Sequence, residues 1–313
     1  ELYLNEILTK KIPYSALMEF TDSFGYALEC SSYNISNFDD ILSDYPPFLE
    51  KLQKIIIDLN NPDINLSNSF NTKEQIIIEY ETIYLRLVSV LEGLFDVKGD
   101  LTASDFYRNK YFEKNIEFNT NRKFIFYQNN TSYIKYLIRE KNYKKAEDEI
   151  NNSLFELENM TIEDYFTDTL KFSENQRVAN NELNSLKNAY FNIYADILLL
   201  TGRHSEYINT KKKIILFYEN YIENPKSTGW DLTLDTLYAS REIQYFLPAA
   251  YIDLIKQFVT LYDYKQAKKY LKKTKDLCTH LREETPYCLF LDEHELNILI
   301  GSKGDVKEGE KLI

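Results

Sequence analysis

From Asn71 to Gly99 the apolar side chains fall at Ile76, Ile77, Tyr80, Ile83, Tyr84, Leu87, Leu91, Leu94 and Phe95. That is the 3.6-residue period of a helix with one buried face. Thr72, with Gln75 three residues on, gives it a capping box at the start. Just before it, Phe48, Leu49, Leu52, Ile55, Ile56 and Leu59 form a second stripe. Pro47 fits the first helical position there, and Asn60-Asn61-Pro62 marks the end. The same period predicts helices over roughly 104–117, 122–139, 143–158, 177–201, 205–223, 231–245, 248–262, 264–280, 286–301 and 304–313. No stretch alternates apolar and polar residues for long, so no strand is expected. Longer loops are expected near 60–71 and 223–230; the second holds Pro225, Gly229 and the single Trp230.

One phrase recurs at the junctions. "NYKKAEDEI" (Asn142 to Ile150) returns as "DYKQAKKYL" (Asp263 to Leu271), and "KGDL" (Lys98 to Leu101) as "KGDV" (Lys303 to Val306). "TGRHSEY" (Thr201 to Tyr207) stands between the two longer phrases. Each junction joins a long periodic helix to a second helix through a tight turn, and Gly99, Gly202 and Gly304 occupy three of them. A glycine past a helix end adopts the left-handed conformation without steric cost.

These residues resemble the tetratricopeptide repeat (TPR) family in a degenerate form. Ala146, Ile150 and Ser153 follow Tyr143 where that family places small, large and small residues at the crossing of paired helices. Tyr264, Ala267, Leu271 and Thr274 repeat the pattern, with Thr274 a poorer small residue. Ala195 suits the small position of a first helix, whereas Tyr207 stands where Ala is expected. The turn marks at Gly99, Lys141, Gly202, Tyr262 and Gly304 are 42, 61, 60 and 42 residues apart, against about 34 in a regular array. The resemblance implies an all-α fold, a right-handed superhelix of antiparallel helix pairs (a TPR-like α-solenoid). An irregular α-bundle is the alternative. It divides the chain into an N-terminal helical cap, 1–70, and a repeat domain, 71–313.

Composition narrows the function. Gly (8) and Pro (7) are scarce, which favours helices with short links. The 26 Tyr accompany abundant Asn, Ile and Lys, a set with AT-rich codons; the other reading is a need for aromatic packing. A net charge of −12 and a pI near 4.9 argue against a nucleic-acid partner. Three cysteines (Cys30, Cys278, Cys288) make no disulfide framework, and Cys278 and Cys288 can pair only where the fold brings them together. No apolar run is long enough for a transmembrane segment, and no signal-peptide pattern is present. The chain opens on Glu1 and ends inside an expected helix, so the compartment is open, with the cytoplasm the first expectation.

No phosphate loop, nucleophile elbow or zinc-protease pair is found, so no catalytic residue and no cofactor are expected. The carboxylates of Glu147 to Glu149 are read as a solvated helix face. Cys278, His280, Cys288 and His294 are zinc-type ligands in an unusual spacing, so they are read as buried thiols and surface imidazoles and no metal is expected. The triplets at Asn34, Asn65, Asn129, Asn130, Asn151 and Asn159 are what an Asn-rich chain supplies by chance. Lys265, Lys268, Lys269, Lys272 and Lys273 share one helical face, a basic patch read first as solvated and otherwise as a dock for an acidic partner or a lipid surface. Thr210 to Lys213 is read as an extension of it.

In the resembled family the first helices of each pair line a groove for a peptide or a helix. In this sequence that register exposes Thr131, Lys135, Arg139, Asn192, Asp196, Lys256 and Thr260. The expected function is a non-catalytic scaffold for a protein or peptide partner. The alternative is a peptide- or ligand-sensing module of a larger regulatory protein.

Overall fold

The computed structural model describes residues 38–62, 72–169, 176–224, 238, 240, 242–281 and 285–303. Among them the chain is all-α, with no strand. The helices are α1 Phe38–Asn60, α2 Lys73–Lys98, α3 Leu101–Asn119, α4 Lys123–Arg139, α5 Tyr143–Asn159, α6 Ile162–Thr169, α7 Gln176–Leu200, α8 His204–Glu223, α9 Leu247–Thr260, α10 Tyr264–Cys278, α11 Pro286–Leu289 and α12 Leu291–Lys303. A π-helical turn, Glu242–Phe246, runs into α9. Trp230, Cys30, Gly304 and most of the helices expected at 231–245 and 304–313 lie outside the described residues.

Most expected helices agree with the structure to within a few residues. Three differ. Helix α1 begins at Phe38 and carries Pro46 and Pro47 inside it rather than at its start. The short α6 has no apolar period long enough to read, yet it buries Tyr165 completely. The helix expected over 286–301 is interrupted at Phe290, which caps α11 before α12 begins.

The chain forms two compact units, Glu1–Phe126 and Tyr127–Ile313. In the first, α2 packs against both α1 and α3. Its burial is therefore wider than one stripe: Glu81, Leu85 and Val88 are buried beside the expected Tyr80, Tyr84 and Leu87. The division expected at 70/71 separates helices that pack together. Glu81 ion-pairs with Arg122, and burial pushes its carboxyl up while Arg122 pulls it back down. In the second unit, packing follows chain order: α7 against α5, α6 and α8, then α8 against α9, α9 against α10, and α10 against α12. One apolar core runs through α7 to α12, with Leu198, Ile214, Leu254 and Ile298 at or near zero exposure.

The repeated phrase is a repeated turn. The N–H groups of Gly99, Lys141, Gly202 and Tyr262 each bond the carbonyl three residues back, and the next N–H bonds the carbonyl five back. This is a Schellman end, with the left-handed residue at φ 79°, 57°, 72° and 59°. The following residue caps the next helix: the side chains of Asp100, Asn142 and Asp263 accept from the N–H three residues on. One residue thus ends a helix and the next starts another. Five positions after each left-handed residue stand Ser104, Ala146, Tyr207 and Ala267, all buried.

Candidate functional site

The seven residues of the expected groove lie on α4, α7 and α9, and all are half-buried or exposed. Their neighbours Ile134, Leu137, Ile193, Ile197, Ile255 and Phe258 are buried and fix the helix register. Thr131, Asn192 and Thr260 donate to a carbonyl one turn earlier in their own helices. Lys135, Arg139, Asp196 and Lys256 are the charged members.

Electrostatics ties these helices together. Burial pushes the Asp196 carboxyl up, Lys211 and Lys135 pull it down, and Asp253 raises it. Asp196 is exposed to solvent on one side, so its desolvation comes from the protein packed around its other side. The buried Lys211 of α8 reaches Asp253 of α9 at 2.8 Å. Beside them the Gln257 amide donates to His204 Nδ1 at 2.9 Å. His294 of α12 is held below its ordinary value by burial and by Lys256, with Glu293 opposing. Tyr207 is pushed up by burial and by Asp253 and Asp196. Both signs of charge occur among these residues.

The structure also holds a polar clasp around Glu147. Arg203 Nη1 bonds both Glu147 oxygens at 2.8 and 3.0 Å, and the guanidinium also reaches Glu206 and the Tyr194 hydroxyl. That hydroxyl in turn donates to Glu147 at 3.0 Å. Glu147 is therefore not part of a solvated face. It links α5 to α7 and to the turn before α8. The local signal was absent because the partners are 47 and 56 residues away.

The cysteine–histidine cluster does not converge. Cys278 and Cys288 form a disulfide with Cα atoms 5.9 Å apart. The fold thus supplies the proximity that spacing could not, and neither cysteine is a free thiol. His280 stacks on Tyr238 at 5.5 Å, and His294 faces Lys256 instead.

The basic patch divides. Lys265, Lys268, Lys269 and Lys272 are exposed. Lys273 pairs with Glu219 at 2.6 Å. Of the adjoining run, Thr210 and Lys211 are buried. Lys212 and Lys213 are exposed and lean over the Phe258 and Phe191 rings.

Among the described residues no helix is long and apolar enough to cross a membrane. Together these features define, among the described residues, an all-α protein. Compared with known proteins, the chain matches no family model, no curated protein and no solved structure.

Proposed function

We propose that the second unit is a TPR-like α-solenoid, and that the chain is a non-catalytic scaffold that binds a protein or peptide along its first helices. The observation that carries this reading is the row formed by Lys135, Asp196, Asp253, Lys256 and His294. Lys135 and Asp253 act on Asp196, and Lys256 acts on His294, so the charges lie close across α4, α7, α9 and α12. Each of these helices precedes or follows a Schellman turn of the repeated kind or packs on one that does. Helix pairs that bury one stripe each must stack to hide it, and stacking leaves such a row exposed. The row carries acidic and basic groups, which suits a peptide bearing both signs, held by several weak ion pairs.

The test is selection of peptides from a displayed random library on the immobilised chain, followed by affinity measurement. Selected peptides should lose about tenfold in affinity on Lys135→Glu or Lys256→Glu, an ion pair at an interface contributing on the order of 1–2 kcal/mol. Crosslinks from bound peptide should fall on those helices. Failure to select any sequence, or selected peptides indifferent to both changes, would overturn the reading.

A further inference from the structure

The basic stripe of α10 lies on the second helix of its pair, away from the residues of the proposed groove. Lys265, Lys268, Lys269 and Lys272 are all exposed, and among the described residues none of them pairs with a carboxylate. Lys212 of α8 adds a fifth ammonium. It leans over Phe258, which stacks on Tyr270, and Lys269 leans over Tyr270. The nearby carboxylates are engaged or terminal: Asp263 caps the helix, Glu219 holds Lys273, and Asp276 lies past the stripe. A concentrated positive face on a chain of net charge −12 is a local inversion of sign.

The stripe has an apolar edge. Leu261 and Tyr262, in the turn that opens α10, are 42% and 79% exposed. Lys265, Lys268 and Lys272 follow helical spacing and so line one side of α10.

We propose that this face docks on an anionic phospholipid bilayer. Three features favour a bilayer over an acidic polypeptide. All five cations are lysines. They lack the planar fork with which arginine grips an individual carboxylate or phosphate, and act as point charges suited to a diffuse anionic layer. The cations stand on exposed helix faces rather than in a cleft shaped for a chain. Tyr262 pairs an apolar ring with a polar tip, the combination that settles at a headgroup interface. The overall negative charge repels such a surface, but repulsion is screened beyond about 8 Å at physiological ionic strength. It therefore selects the orientation that puts α10 against the lipid.

The test is co-sedimentation of the full chain with vesicles of phosphatidylcholine alone and with a third phosphatidylserine. Binding should require phosphatidylserine and fall as salt rises. Each lysine removed should cost about fivefold in partition, so the combined Lys265→Gln, Lys268→Gln, Lys269→Gln and Lys272→Gln variant should fall by at least about 100-fold. These side chains are exposed, so circular dichroism and thermal unfolding should match the parent. Lys144→Gln, on the exposed surface of α5, should leave partition unchanged. No phosphatidylserine-dependent binding, or equal binding by the fourfold variant, overturns the proposal. So does binding of poly-glutamate at this stripe without vesicle binding, which assigns the face to an acidic polypeptide. Peptide binding in the groove should survive the fourfold change, so the two proposals fail separately.

Discussion

His294 stands half-buried on α12 with the Lys256 ammonium facing it, and both burial and that charge disfavour its imidazolium. Its folded pKa lies below the ordinary 6.5. The unfolded chain therefore binds the proton more readily. The stability tied to a neutral His294 is present above pH 6.5 and is lost as pH falls through the folded value. His294→Gln should flatten that acid-side slope in unfolding measured against pH. Lys256→Gln should move the His294 titration, followed by NMR, upward toward 6.5; an unmoved titration would refute the proximity of these helices. Another single-residue effect lies in the backbone. Lys141 holds a left-handed conformation without being glycine, which costs about 1–2 kcal/mol, partly offset by the greater freedom of an unfolded glycine. Lys141→Gly should stabilise by about 0.5–1 kcal/mol in denaturant titration, and Gly202→Ala should destabilise by about 1 kcal/mol.

At the scale of the element, local chemistry was legible. The Thr72–Gln75 capping box forms as read, at 3.2 and 2.8 Å. Asn60 closes α1, where Asn61 and Pro62 follow. Ala146, Ser153, Ala267 and Thr274 are buried at the small positions read from the phrase. Thr274 fits because its hydroxyl donates to the Tyr270 carbonyl at 2.8 Å, which satisfies the polar group without a partner helix. These sites are closed to solvent. Ala146→Leu or Ala267→Leu should destabilise by about 1–3 kcal/mol through overpacking, read from the shift in denaturant midpoint at constant slope. Two elements resisted reading. Helix α1 passes through Pro46 and Pro47 although each removes a donor and strains the turn before it, and α6 is too short for a period to declare itself.

At the scale of the molecule, each unit has a test of what holds it. In the first, Arg122 is the counter-ion of a carboxylate buried between helices. Arg122→Leu leaves Glu81 uncompensated and should cost about 3 kcal/mol. In the second, the disulfide closes a short loop between α10 and α11. Replacing both cysteines, Cys278→Ser with Cys288→Ser, should cost about 3 kcal/mol on the loop-entropy account, and a reductant should lower the parent's melting temperature to match. A parent indifferent to reductant would show that the bridge contributes nothing to stability.

The sequence by itself determined most of the helices, most of their ends and the repeated turn. All of these depend on neighbours three to five positions away, through the helical period, the cap bonds and the left-handed turn. Only the tertiary structure decided that α2 is buried on more than one side, that Glu147 is clasped by Arg203, and that Cys278 meets Cys288. It also decided that Lys211 and Lys273 leave the basic run for Asp253 and Glu219. Each of those outcomes joins residues from different helices or from opposite sides of a turn. Their distance is set by how apolar faces pack, and no local pattern encodes it.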